Sequence, residues 1–486
     1  MTFFPPCRPV LLMCILLLAL MPACTSTSIA TSDPALARRP NIVIFIADDL
    51  GDGDLSCYGH PILRTPHIDR LAREGVRFDA AFLTISSCSP SRSSILTGRY
   101  PHSTHAEDLH DPLPAEQKTM AHFLGQRGYY TASIGKWHLG NEVRPQWDKI
   151  VECQAAPTAA NTVQIIEDRP KDKPFFLWVA TTDPHRPYQL NTIDKPHSPD
   201  RVIVPPYLPD HPLIRKELAL YYDEVERFDG CVGTVRNALE KAGELENTII
   251  VIMSDNGMPF PRAKTTLYDS GIRTPFIVHW PSQIKPGVQK NLFSAVDLAP
   301  TLVALAGIKP QTMQGKSQWA MWKDVNARGR DAIIAEANWH DYEQFTRAVR
   351  DDRFKLIRNE YNDLPLWNSV DSISSITWVG YMEMNAVGKL TPAQQYLFQE
   401  PRPKEELYDL TTDPFEFHNI IDDPKYAADA KRLRTKLAQW SKETNDQIPA
   451  QRRPDGWTRE GDPLPHNQPW YDRWIKQGKK NQFETY

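Results

Sequence analysis

The chain has 486 residues, of which 41% are hydrophobic and 24% are charged, a composition that is typical of globular proteins and excludes a disordered chain. The formal net charge is −4, so we expect no nucleic acid partner. An anionic substrate would require basic side chains concentrated at one site, since the overall charge does not attract it.

The first residues have the pattern of an export signal. Arg8 precedes an apolar run over residues 10–21, which is too short to span a bilayer comfortably. The run leads to Ala23 and Cys24, which resemble a bacterial lipoprotein cleavage site with unusual residues before it. The sequence leaves open lipid attachment at Cys24 or plain secretion. We expect a signal peptide over residues 1–24, a linker over 25–39, and export to the periplasm or, as an outer-membrane lipoprotein, to the bacterial cell surface.

Short apolar runs alternate with amphipathic segments from residue 41 to about residue 308. The predicted strands cover residues 41–48, 129–135, 174–180, 247–255 and 275–280, and the predicted helices cover 65–75, 120–128 and 218–242. This alternation predicts an α/β sandwich with a large, mainly parallel sheet. Ligands of such sheets collect at the carboxyl ends of the strands.

The pattern changes after about residue 330. Residues 347–359 and 405–420 resemble strands and turns of a smaller sheet, and a helix follows from about Asp423 to Thr444. We therefore expect a large domain over residues 40–335 and a C-terminal subdomain with an antiparallel sheet over residues 336–486.

Oxygen-bearing side chains follow two of the predicted strands. Asp48 and Asp49 end the first strand, and Asp255 and Asn256 end a later one. If parallel strands bring them together, their carboxylates need a cation or a shared proton. Oxygen ligands favour a hard cation such as Ca²⁺ or Mg²⁺. The alternative is that Asp48 and Asp255 cap helices or turns.

Several basic side chains lie in loops at the same predicted edge of the sheet. Individually, each is expected to be a surface ion-pair partner or a space-filling histidine, but together they could hold an oxyanion. They are Arg92, Lys136, His138, His185 and Lys264.

Cys88 lies in a serine-rich stretch. From the residues alone it could be a thiolate nucleophile before a helix that starts at about Ser91, where the helix dipole and Arg92 would lower its pKa. The alternative is an ordinary buried cysteine.

Cys88 begins a longer sequence motif. The run CSPSRSSILTG, residues 88–98, matches the C-x-P-S-R-x-x-x-L-T-G signature and resembles the type I sulfatases of the alkaline phosphatase superfamily. The runs NIVIFIADDLG, GKWHLG, DPHRPY, SDNG and GIRTP follow that family's order, so the likeness covers residues 41 to about 485. The continuation SDNGMPFPRAKTTLY is most similar to the N-sulfoglucosamine sulfohydrolase (heparan sulfamidase) group. The resemblance implies an alkaline phosphatase-like sandwich whose large domain is catalytic.

The resemblance also implies a modified residue and a metal. Cys88 would be oxidised to formylglycine by a formylglycine-generating or anaerobic sulfatase-maturating enzyme. One Ca²⁺ would be held by Asp48, Asp49, the hydrated residue 88, Asp255 and Asn256.

The family's catalytic roles fall on the basic residues. Arg92 would stabilise the hydrate of residue 88, and Lys136 and Lys264 would stabilise charge on the sulfate. His138 would take a proton from the hydrate, and His185 with Lys264 would protonate the leaving group.

The implied substrate is a sulfated poly- or oligosaccharide that carries either an O-sulfate, as in an algal polysaccharide such as ulvan, or an N-sulfate, as in heparan-type glucosamine. Polar loop residues are candidates for the substrate pocket, and each could equally be solvated surface. They are His105, Glu107, His110, His340 and Asp341.

Two alternatives belong to other functional classes. One is a metal-dependent phosphatase or phosphodiesterase on the same fold, which would usually carry histidine at position 256 and Ser or Thr at position 88. The other is a non-catalytic glycan-binding lipoprotein, but every functional position named above is retained.

Overall fold

A computed structural model describes residues 39–458, 462–465 and 468. The expected signal peptide, Cys24 and all of the linker except residue 39 lie outside these residues. Among the helices of the described part, none has both the length and the apolar character needed to cross a membrane.

A sheet of eight strands forms the centre of the fold, in the order β5-β4-β6-β1-β7-β8-β2-β9. The strands are β1 (Asn41–Ala47), β2 (Val76–Phe78), β4 (Tyr130–Gly135), β5 (Lys149–Val151), β6 (Phe175–Ala180), β7 (Thr248–Ser254), β8 (Phe276–His279) and β9 (Gly287–Gln289). Strands β5, β4, β6, β1 and β7 pair in parallel, and β8 is antiparallel to β7 and to β2. The expectation of a mainly parallel sheet is confirmed.

The apolar run of β1 explains its central position. Alternate residues enter two hydrophobic clusters on opposite faces, with Val43 and Phe45 in one and Ile42 and Ile44 in the other. A strand that is covered on both faces needs a continuous apolar sequence, and β-branched residues suit an extended backbone.

Helices cover both faces of the large sheet. The helices up to residue 323 are α1 (Pro66–Glu74), α2 (Cys88–Thr97), α3 (Met120–Gln126), α4 (Ala155–Asp168), α5 (Pro212–Lys241), α6 (Asp269–Ile272), α7 (Leu298–Leu305) and α8 (Trp319–Lys323). Buried residues of α1, α4 and α5 belong to one hydrophobic cluster, and those of α2, α3 and α7 belong to the other. The result is a three-layer α/β sandwich.

A separate antiparallel sheet has the order β11-β12-β13-β14. The remaining elements are β3 (Ala81–Phe82), which pairs with β10 (Phe293–Ser294), then β11 (Ile333–Ala337), β12 (Thr346–Arg350), β13 (Phe354–Asn359), α9 (Val370–Ile373), α10 (Ile376–Ala386), α11 (Pro392–Gln395), β14 (Glu405–Asp409) and α12 (Ala427–Thr444). Leu433 and Leu437 of α12 pack on Val349 and Leu356 of this sheet. The expected smaller antiparallel sheet is thus present.

Several expected bounds differ from the structure. Helix α5 begins at Pro212 rather than Leu218, because Pro212 suits the first turn and the His211 side chain accepts a hydrogen bond from the Leu213 amide at 3.3 Å. A short 3₁₀ turn, Pro424–Tyr426, precedes α12, which begins at Ala427 rather than Asp423. Strand β11 crosses the expected boundary at residue 335, and the division into two domains stays a prediction.

Candidate active site

The acidic residues meet because β1 and β7 are parallel neighbours in register. Ala47 pairs with Ser254, so the next residues, Asp48 and Asp255, leave the sheet side by side. The Asp255 amide donates to the Ala47 carbonyl at 3.2 Å, and the Asp49 amide donates to Asp255 Oδ1 at 3.2 Å. Asp49 has a φ of 74°, which turns the chain sharply at the end of the strand.

Cys88 is the first residue of α2, and its side chain lies next to the carboxylates of Asp48 and Asp49. Its Sγ lies 3.6 Å from Asp48 Oδ1 and 3.9 Å from Asp49 Oδ1, and the residue is 2% exposed. The helix therefore starts three residues earlier than expected. Burial raises the pKa of the Cys88 thiol well above its usual range, although Lys136 and Lys264 act in the opposite direction. The expectation of a low thiol pKa is wrong, because burial outweighs the nearby cations.

Arg92 and Lys136 pair with the acidic residues. Arg92 Nε donates to Asp255 Oδ2 at 2.9 Å, and its NH2 lies 3.4 Å from Asp48 Oδ1. Lys136 Nζ lies 2.6 Å from Asp48 Oδ2. Burial disfavours the Asp48 carboxylate, but Lys136, His185 and Arg92 outweigh it and hold the pKa of Asp48 well below its usual value.

Lys264 also contacts carboxylates of the site. Its ammonium donates to Asp49 Oδ2 at 2.9 Å and to Asp371 Oδ2 at 3.1 Å. Burial disfavours the charged lysine, but the two carboxylates raise its pKa well above the usual value. Lys264 is therefore a fixed cation within the cluster.

The two predicted catalytic histidines lie next to these charges. His185 Nε2 is 3.6 Å from Asp49 Oδ2, and burial lowers the pKa of the imidazole. His138 Nε2 is 2.7 Å from Nδ1 of His110, and burial, His110 and Lys136 hold the pKa of His138 well below its usual value. Both rings are therefore favoured in the neutral form, which can accept a proton.

The residues fit a hard cation. One ligand atom from each of Asp48, Asp49, Cys88 and His185 lies within 4.8 Å of the others. Asn256 Oδ1 is buried and accepts no hydrogen bond from any residue in the described ranges. An orphaned carbonyl oxygen beside carboxylates is the donor set that Ca²⁺ uses.

The candidate pocket residues divide into two groups. His110 contacts His138, and His340 Nδ1 lies 2.8 Å from Oγ of Ser87, the residue before Cys88. Asp341 Oδ2 accepts from the Val370 amide at 2.7 Å at the start of α9. His105 and Glu107 make no hydrogen bond or ion pair with the acidic cluster in the described part of the chain; His105 is exposed, and Glu107 lines a separate cavity.

The sequence reasoning missed two members of the site. Ser87 contacts His340, and Asp371 pairs with Lys264 and lies 3.8 Å from His185 Nε2. Ser87 directly precedes the cysteine motif, which could have pointed to it. Asp371 lies in a serine-rich segment far along the chain and gives no local signal.

A family model described as Sulfatase matches residues 40–308, and one described as N-sulphoglucosamine sulphohydrolase, C-terminal, matches residues 262–375. The chain therefore belongs to the sulfatase family and is an enzyme of that family. These matches confirm the family that the cysteine motif indicated and the subgroup that the run SDNGMPFPRAKTTLY indicated.

Two relatives and one solved structure illustrate the similarity. The chain is 32% identical over 461 residues to an ulvan-active sulfatase of Formosa agariphila, covering 83% of this chain and 75% of the relative. It is 30% identical over 468 residues to human N-sulphoglucosamine sulphohydrolase, covering 84% of this chain and 91% of the relative. A protein solved in complex with its substrate D-glucosamine-2-N,6-O-disulfate has the same fold, with a TM-score of 0.68, 24% identity, and coverage of 85% of this chain and 99% of that one.

Proposed function

We propose that the protein releases sulfate from a sulfated poly- or oligosaccharide, using a formylglycine made from Cys88 and one Ca²⁺. The observation that carries the proposal is the position of Cys88 Sγ, which lies within 4 Å of both Asp48 and Asp49 carboxylates at the buried start of α2. The substrates named for the relatives, ulvan and N-sulphoglucosamine, support a carbohydrate with either an O-sulfate or an N-sulfate.

Four side chains at the ends of β1 and β7 would hold the metal together with residue 88. When present, Ca²⁺ would draw charge from a sulfate oxygen and hydrated formylglycine would supply the attacking oxygen. The metal ligands would be Asp48, Asp49, Asp255 and Asn256. Arg92 would keep Asp255 and Asp48 oriented through its ion pairs.

Lys136 and Lys264 would stabilise the charge that develops on the sulfate. Both are positioned by carboxylates, Lys136 by Asp48 and Lys264 by Asp49 and Asp371. Cations held in a buried site stabilise a transition state without reorganising, and this is often the largest contribution to catalysis.

The histidines would move protons. His138 is disposed to accept a proton, because its imidazole is favoured as the neutral form and its Nδ1 has no hydrogen-bond partner in the described ranges. Lys264, which the carboxylates keep as an ammonium, would donate a proton to the departing oxygen or nitrogen of the sugar, and His185 would assist in this step. A leaving alkoxide or amide ion needs such a proton, so this step serves an O-sulfate and an N-sulfate alike.

The proposal extends to partners and location. A formylglycine-generating or anaerobic maturating enzyme would have to act on Cys88, which is buried in the folded chain, before folding is complete. The protein would be exported to the periplasm or cell surface, with a lipid at Cys24 as the alternative to plain secretion.

The test is sulfate release by protein co-expressed with a formylglycine-generating enzyme. Heparan-type, ulvan-type and carrageenan-type oligosaccharides are each incubated with the purified enzyme, and free sulfate is measured by ion chromatography. We expect release from at least one of these classes, and loss of release with C88A. Activity confined to phosphate esters would overturn the proposal and favour the phosphatase alternative.

A further inference from the structure

The cavity that Glu107 lines is formed by segments that are far apart in the chain. Its volume is about 240 Å³. Its lining includes Glu107, Asn338, Trp339, Phe345, Gln447 and Gln451. Carboxyl, amide and aromatic groups are thus brought together from three separate segments of the chain.

Two loops connect this cavity to the catalytic cluster. The Leu109 amide donates to the Trp339 carbonyl at 3.0 Å, and the Trp339 amide donates to Asp108 Oδ1 at 3.0 Å. The same loops carry His110, which contacts His138, and His340, which contacts Ser87 next to Cys88. Asn338 is two residues from His340, so their Cα atoms are at most about 7 Å apart. A ligand in the cavity would therefore neighbour the sulfate site.

Polar groups of the cavity lack partners. Asn338 Nδ2 is buried without a hydrogen-bond partner among the described residues, while Asn338 Oδ1 accepts from Arg347 NH1 at 3.0 Å. No other described residue donates a hydrogen bond to the Glu107 carboxyl. Burial, with smaller contributions from neighbouring carboxylates, raises the pKa of Glu107 to about 7. Glu107 can therefore both donate and accept near neutral pH, and an unmet donor such as Asn338 Nδ2 is costly to leave without a ligand.

The charges of the cavity do not suit a second sulfate. Arg347 is held by Asp446 through contacts of 2.7 and 2.8 Å. Arg453 is held by Asp108 at 2.8 Å and by a further carboxylate, that of Asp111, at 3.2 Å. His102, which also lines the cavity, is paired with Glu336 at 2.7 Å. Because both arginines and this histidine already have carboxylate partners, a bound anion would lack a counter-charge. Hydroxyl groups, by contrast, match the free amide and carboxyl groups.

We propose that this cavity binds an uncharged, hydroxyl-bearing sugar unit adjacent to the sulfated unit. The inference rests on the proposed function. It narrows the substrates to oligosaccharides or polymers in which an unsulfated, uncharged sugar unit is next to the sulfated unit. The cavity is smaller than typical sites for drug-sized ligands, which measure about 300–1,000 Å³, so it suits no more than one sugar ring.

The test compares two substrates and two variants. The enzyme, E107A and N338A are assayed on a sulfated monosaccharide and on a tetrasaccharide of the class that the enzyme desulfates, with the exposed-site variant E116A as the control. We expect the ratio of kcat/KM for the tetrasaccharide to that for the monosaccharide to fall about tenfold in each cavity variant, as for loss of one buried hydrogen bond, and to stay unchanged in E116A. An unchanged ratio in both cavity variants would overturn the inference.

A binding measurement separates this inference from the proposed function. Isothermal titration with the fully desulfated tetrasaccharide should show binding by the wild-type enzyme, weakened about tenfold by N338A. If the wild-type releases no sulfate from any sugar, the proposed function fails, and titration with the desulfated tetrasaccharide of each tested class still decides whether the cavity binds sugar. If the wild-type desulfates sugars but does not bind the desulfated tetrasaccharide, the cavity assignment alone fails.

Discussion

Lys264 lies 3.1 Å from the Asp371 carboxylate, although the two residues are 107 positions apart in the chain. The same ammonium lies 2.9 Å from Asp49, so it bridges the end of the first strand and the start of α9. The lysine is buried, and a buried cation requires such partners to remain charged. Asp371 thus positions a residue that would contact the substrate.

Replacing Asp371 by Asn should reduce catalysis. The D371N variant keeps the shape of the side chain but leaves Lys264 with one carboxylate partner. We expect kcat to fall about 10- to 100-fold, with a smaller change in KM, as for other groups that orient an active-site residue. Steady-state kinetics of sulfate release measure both constants, and D422N, at an exposed aspartate, is the matched control. An unchanged kcat would show that Asp371 has no positioning role.

Removing Arg92 should destabilise the fold as well as the site. Arg92 is fully buried and paired with Asp255 and Asp48, so R92A leaves buried carboxylates without their partner. We expect the free energy of unfolding to fall by about 3–5 kcal/mol. Urea titrations followed by circular dichroism measure this change. R353A removes an exposed arginine from its pair with Asp409 and should change stability little; equal effects of the two variants would contradict the burial argument.

Asn256 should contribute to metal affinity. Because no residue in the described part of the chain donates a hydrogen bond to its buried Oδ1, N256A removes an oxygen that a cation would use. We expect Ca²⁺ to raise the melting temperature of the wild-type and to bind the variant at least about tenfold more weakly, with a smaller rise. Isothermal titration with Ca²⁺ measures the affinity, with N326A at an exposed asparagine as the control. Equal affinities of wild-type and N256A would remove Asn256 from the ligand set.

The central sheet and the grouping of acidic side chains at its edge could be predicted because the signals are local. A continuous β-branched run predicts β1, and Asp48 follows it directly in the sequence. The start of α2 was misplaced because serine and proline are compatible with both a loop and a first helical turn, so Cys88 was placed before the helix rather than in it.

The parts of the site that the sequence does not reveal depend on contacts between distant segments. Asp371 joins Lys264 only because the loop after β7 and helix α9 pack together, and nothing in the short-range pattern of either segment records this. Glu107 is a candidate pocket residue in the sequence, but its cavity is made by Asn338 and by Gln447 and Gln451 after α12, which no local motif connects.

The central claim is that the active enzyme carries formylglycine at position 88. The most direct measurement is mass spectrometry of the tryptic peptide that contains this residue, made on the same preparation whose rate of sulfate release has been determined. The account predicts that the modified peptide is present and that activity rises in proportion to its fraction across preparations made with and without the maturing enzyme. Full sulfate-releasing activity in protein whose Cys88 is entirely unmodified would contradict it.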